Sequence, residues 1–142
     1  MYDKRKNEKI QAGLSSEDSE QMMLFRWAEF AEIAYPELQL MYHVPNEGKR
    51  NAVTGSRLKK MGLKAGVPDI ILPVAHGGYI GLAIEMKYGR NCLTEKQSDW
   101  LKKLGKAGHK TEVCYSFESA KDVIENYLRS VKTVIVREAN DI

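Results

Sequence analysis

Apolar residues recur along this chain in two rhythms, one helical and one extended, and their order predicts an alternating α/β domain. Leu24, Trp27, Ala28 and Ala31 repeat at helical spacing up to the Tyr35-Pro36 break. Ser15 or Ser16 supplies an N-cap, and Glu17 and Asp18 suit the positive first turn of that helix. Leu38 to Val44 reads as a strand, Pro45-Asn46-Glu47-Gly48 as a turn or mobile loop, and Ala52 to Gly62 as a short basic helix. Two runs rich in Val, Ile and Leu follow, Pro68–Val74 and Tyr79–Met86, on either side of His76-Gly77-Gly78. They predict central strands with both faces covered. A helix from about Glu95 to Ala107 turns Trp100, Leu101 and Leu104 inward, and Thr94 and Gln97 fit a capping box at its start. Thr111 to Ser116 is the next strand, and Glu118 to Arg129 a closing helix with Ala120, Val123, Ile124, Tyr127 and Leu128 inward. Val131 to Val136 predicts one more strand, at an edge or a subunit contact. The organisation is a polar arm over residues 1–15 and a single domain over 16–142, without internal repeats.

The two central strands carry the candidate chemistry. If they pair as an antiparallel hairpin about Gly77, Asp69 falls opposite Glu85. Side chains alternate along a strand, so Glu85 and Lys87 share a face while Met86 turns to the core. Two carboxylates facing each other repel, and a divalent cation is the simplest remedy. Mg²⁺ takes oxygen ligands from one or two carboxylates together with water and substrate phosphate. Lys87 beside such a site could hold a phosphate oxygen or the attacking water. Charges on strands buried this deeply are costly, which favours a functional role for Asp69, Glu85 and Lys87.

Composition narrows the partner. The chain has 142 residues, enough for one domain with a real core. It has no apolar run of about 18 residues and a charged start, so a soluble cytoplasmic protein without membrane contact is expected. Its two cysteines, Cys92 and Cys114, form no CxxC pair and read as reduced thiols. The net charge of +3 is unevenly spread. Lys49, Arg50, Arg57, Lys59, Lys60 and Lys64 occupy a stretch without a single acid that runs into Gly66-Val67-Pro68-Asp69. A solvated helix face is one reading, and a phosphate-binding surface beside the acid pair is the other. Lys96, Lys102, Lys103 and Lys106 make a second helix basic on its exposed side. Structural roles account for several other residues when taken alone. His43 lacks a partner at metal-ligand spacing, Asn46 and Glu47 are turn formers, Gln97 is a capping residue, and Glu20 complements a helix dipole.

The ordered set changes the last two. Glu20 on the first helix, His43-Val44-Pro45-Asn46, Gly66-Val67-Pro68-Asp69, Ile84-Glu85-Met86-Lys87 and Leu93-Thr94-Glu95-Lys96-Gln97 before Trp100 and Leu101 together resemble the VRR-NUC domain, a branch of the PD-(D/E)XK nuclease superfamily. The resemblance runs from about Glu20 to Leu128 and implies a restriction-endonuclease-like core, a mixed β-sheet flanked by helices. It implies that Asp69 and Glu85 bind Mg²⁺ or Mn²⁺ with the Met86 carbonyl, that Lys87 orients or activates water, that Glu20 completes the metal site, and that Gln97 braces it. The chain resembles the stand-alone form found in phages and bacteria.

The function expected is therefore Mg²⁺-dependent, structure-selective hydrolysis of DNA phosphodiesters, with a homodimeric Holliday-junction resolvase ranked first. So small a domain has little surface for reading base edges, which favours branched DNA over a long recognition sequence. A flap or nick endonuclease is the next reading. A non-catalytic DNA-binding module, with the acids and Lys87 as a buried ion network, is the alternative from another class. A small-molecule enzyme lacks support, because the chain has no Gly-rich phosphate loop and no nucleophile-base motif.

Overall fold

The computed structural model describes residues 16–45, 52–134 and 136. The expected arm over residues 1–15, the Asn46-Glu47-Gly48 loop, and the basic residues Lys49 and Arg50 lie outside them. The described elements are α1 (Ser16–Ala31), a 3-10 turn (Pro36–Leu40), β1 (Tyr42–His43), α2 (Ala52–Lys60), β2 (Ile70–Leu72), β3 (Leu82–Met86), α3 (Glu95–Lys106), β4 (Lys110–Cys114) and α4 (Phe117–Arg129). The four strands form one mixed sheet in the order β1-β2-β3-β4, antiparallel except for the parallel β3–β4 pair.

The hairpin register follows from the turn. Gly77 and Gly78 both have positive φ, 61° and 86°, which lets the chain reverse tightly after His76. The pairing Ile70↔Ile84, Ile71↔Ala83 and Leu72↔Leu82 then sets Asp69 against Glu85 one step further on. Helices cover both faces. On one side α1 and α4 pack Leu24, Ala28, Ala120, Ile124 and Tyr127 against Ile70, Leu72, Ile84, Met86 and Cys114. On the other side lies α3, with Leu101 buried. All five residues of β3 are buried, as its apolar run predicts.

Two expectations shift. Leu38 to Val44 was read as one strand, but Pro36 with its fixed φ starts a 3-10 turn through Leu40, leaving only Tyr42 and His43 to pair with β2. Val131 to Val136 does not form a strand among the described residues. It contributes a single bridge, Lys132 to His76, with Gly77 N–H donating to Val131 O and Thr133 N–H to Ala75 O.

This last contact belongs to a polar cluster at the turn end of the hairpin. His76 is 3% exposed; its Nε2 lies 2.8 Å from Glu37 Oε1 and its Nδ1 3.1 Å from Ser130 O. The Tyr127 hydroxyl donates to Val74 O and accepts from His76 N–H at 3.3 Å. One phenol thus satisfies two backbone groups. Replacing it in Tyr127→Phe strands both, and the expected loss is about 1–3 kcal/mol of folding stability. Urea unfolding of the variant against wild type measures that loss, and equal midpoints would refute it.

Candidate active site

At the open end of the same hairpin the polar groups are arranged differently. Asp69, Glu85 and Lys87 are 5%, 2% and 7% exposed. Asp69 Oδ2 accepts the Met86 N–H at 2.8 Å, so the carboxylate is tied to the strand that carries Glu85. The Asp69 carbonyl in turn accepts the Val44 N–H, and His43 Nδ1 lies 2.8 Å from it. His43 thus sits at the edge of the site, held to the backbone that carries Asp69.

Glu85 has two unlike oxygens. Its Oε1 accepts from Gln97 Nε2 at 2.9 Å and lies 3.8 Å from Lys87 Nζ. Its Oε2 is buried and meets no N–H or O–H donor, so a hydrogen bond to the facing Asp69 carboxyl forms only while the pair keeps a proton. The orientation of Gln97 is imposed by the helix cap. Gln97 Oε1 accepts the Thr94 N–H at 2.9 Å and Thr94 Oγ1 accepts the Gln97 N–H at 3.2 Å, which leaves the amide nitrogen to donate to Glu85. The capping role and the bracing role expected of Gln97 are one geometry.

The electrostatics match this packing. Burial, and then the Asp69 charge, push the Glu85 carboxyl from the ordinary 4.5 up to about 8, against the favourable pull of Lys87. Burial also raises Asp69, opposed by its bond to the Met86 amide. At neutral pH the pair retains a proton unless positive charge is brought to it.

Glu20 Oε2 accepts the Phe117 N–H at 2.7 Å, so this carboxylate caps the first turn of α4. Glu17, one turn earlier on α1, is electrostatically coupled to the site. Burial and the Asp69 charge raise its carboxyl, Lys87 lowers it, and Glu85 feels it in return. The apolar stripe drawn back through Leu24 passes through both Glu20 and Glu17, which is the signal that could have found it. Among the described residues no group of three or more His, Cys, Asp or Glu side chains is arranged to hold a metal ion. The donors at hand are two carboxylates, one with an orphan oxygen, and the Met86 backbone. That set fits a hard divalent cation, which takes one or two carboxylates and completes its shell with water.

The basic segment is docked to the same scaffold. Arg57, Lys59, Lys60 and Lys64 are exposed. The loop joining them to Asp69 is pinned to α3, with Trp100 Nε1 donating to Ala65 O at 3.0 Å. Gly66, at φ 85°, passes so close to Lys96 that a Cβ would lie 2.7 Å from its backbone carbon. Here glycine is required both by conformation and by space.

Known proteins resemble the chain over most of its length. A family model described as the VRR-NUC domain matches residues 15–118. A solved structure described as a VRR_NUC domain protein is similar with a TM-score of 0.72 and 28% identity, covering 83% of this chain and 92% of that one. No curated protein matches.

The raised carboxyls fix a sign for stability. A carboxyl whose folded pKa lies above its unfolded value binds more protons in the folded state, so its contribution is full below the unfolded pKa and is lost as pH rises through the folded one. In EDTA, the thermal midpoint is expected to fall as pH is raised from about 5 to about 9. Glu85→Gln, which cannot ionise, should flatten that slope. A midpoint that rises over this range would contradict the assignment.

Proposed function

Because the chain belongs to the VRR-NUC domain family, a family of nucleases acting on DNA, we propose that it is a divalent-metal-dependent endonuclease cutting branched DNA, with a four-way junction as first-ranked substrate. The observation that carries this reading is the buried Asp69–Glu85 pair, with its partnerless Glu85 Oε2, beside the buried Lys87. Such a pair is unfavourable by itself and becomes favourable when a cation joins it.

In this mechanism Asp69, Glu85 and the Met86 carbonyl would hold Mg²⁺, with Mn²⁺ as a substitute. The bound ion supplies positive charge against the phosphate and acidifies water. Met86 N–H holds Asp69 and Gln97 holds Glu85, so neither carboxylate must reorganise during the reaction. Lys87 orients the attacking water or stabilises the charge developing on a phosphate oxygen. Glu17 adds negative charge that strengthens the attraction for cations. The products are a 5′-phosphate and a 3′-hydroxyl, as the family implies. Arg57, Lys59, Lys60 and Lys64, with Lys49 and Arg50, carry the backbone contacts that bring a phosphate to the site. The preference for branched DNA rests on the scant surface for reading base edges, and the homodimer on the resemblance to resolvases, whose paired sites cut symmetry-related strands.

Labelled four-way junctions, flaps and linear duplex, each incubated with Mg²⁺, Mn²⁺ or EDTA, test the reading. Cleavage is expected with either metal and not in EDTA, and Asp69→Ala and Lys87→Ala should each lose about 100-fold or more in rate. Full activity in both variants, or in EDTA, refutes the mechanism, whereas equal cutting of linear duplex refutes only the junction preference. Calorimetric titration with Mg²⁺ should lose its binding heat in Glu85→Ala. Light scattering should give twice the 16.1 kDa chain mass, and a monomer would remove the paired-site argument.

A further inference from the structure

Lys87 lies beyond the end of β3, but its pairing with the neighbouring chain continues. The Lys87 N–H donates to Cys114 O at 2.8 Å, one step past the Met86↔Cys114 pair. The next residue across from Lys87 is Tyr115. Glu85 and its partner Val113 share one face of the sheet, and by alternation Lys87 and Tyr115 share it again one repeat later. The residue across from Lys87 on the neighbouring chain segment is therefore Tyr115.

This ring is both fixed and open. Its hydroxyl donates to Asn91 O at 3.1 Å, in the loop that leads from Lys87 to α3, yet the residue is 46% exposed. A phenol held by its tip and by its backbone has little rotational freedom left to lose. Exposed Arg90 lies in the same loop and supplies charge for a phosphate. The basic segment reaches the site through the loop before β2, whereas Tyr115 follows β4.

We propose that Tyr115 is a stacking platform for an unpaired base adjoining the phosphate held at Lys87. This inference rests on the nuclease reading and names the feature of the substrate that the site selects. A base inside a duplex has both faces covered by its neighbours. One splayed at a branch or a strand end has a free face, and aromatic rings bind such bases whatever their identity. Selection for flapped or frayed DNA then comes from one ring beside the chemistry, without base-edge contacts, and a four-way junction, whose bases are all paired, meets it only where a base at the branch point is splayed out.

The test uses a flapped duplex with 2-aminopurine at the unpaired position beside the branch, and a linear duplex as reference. Wild type and Tyr115→Phe should quench the probe on binding, because both keep the ring, and Tyr115→Leu should not. In Mg²⁺, Tyr115→Leu is expected to raise KM on the flapped substrate by about tenfold, with kcat and the linear-duplex KM unchanged. Tyr79→Leu, which removes another exposed tyrosine near the hairpin turn, should behave as wild type. Quenching that survives in Tyr115→Leu, or an equal rise in KM on both substrates, overturns the proposal. Wild type that cuts but never quenches overturns it as well, without need of any variant. Quenching by a wild type that cuts nothing would instead remove the nuclease reading and leave the stacking platform standing.

Discussion

Two carboxyl groups forced together in a buried place are the constraint from which the rest of this structure takes its shape. Asp69 and Glu85 face each other because the β2–β3 register leaves them no alternative, and both are buried because helices cover both faces of that hairpin. In such surroundings a second negative charge is far more expensive than in water. The fold answers with one amide on Asp69, one amide on Glu85 and a lysine at 3.8 Å, and still leaves Glu85 Oε2 without a partner. That incomplete compensation is the feature on which the proposed cation site rests.

The helices make this arrangement rigid. The cap of α3 spends the oxygen of Gln97 on Thr94 and thereby aims its nitrogen at Glu85, so a local rule of helix termini sets the orientation of a buried carboxylate. The same helix receives the loop ahead of Asp69, through Trp100 on Ala65 and through the backbone contact at Gly66. One element thus references both acids and the basic segment to a common frame. Errors of about 1 Å in such a frame are expensive for catalysis, which explains why the contacts are backbone-based.

Legibility in the sequence followed the length scale of the interactions. The hairpin and its register were readable, because alternation and a His-Gly-Gly turn determine them locally, and with them the convergence of Asp69, Glu85 and Lys87. The capping box was readable for the same reason. The coupling of Glu17 to the site was not separable from the part of Glu20, since both lie on the stripe behind Leu24 and only the packing of α1 shows that Glu20 caps α4 while Glu17 feels the charges of Asp69 and Lys87. The segment from Leu38 to Val44 misled because its apolar content suits a strand, whereas Pro36 upstream commits the chain to a 3-10 turn. Tyr115 left no signal at all. Its meaning depends on a parallel pairing between strands separated by a whole helix.

The hairpin offers an internal comparison that supports this reading of its open end. At the turn end, buried His76 sits among Glu37, Ser130 and Tyr127, with both ring nitrogens within reach of acceptors and its own amide bonded to the phenol. At the other end of the same hairpin, a buried cluster of similar polarity keeps an oxygen without an N–H or O–H donor and a raised carboxyl. One chain, one hairpin and one degree of burial produce both. The satisfied cluster ties the segment after α4 to the sheet and needs nothing further, so structure alone accounts for it. The unsatisfied one cannot be explained as a stabilising device, since an apolar pair in its place would hold the strands at lower cost. Its cost becomes intelligible on the proposal that a ligand of opposite charge completes it.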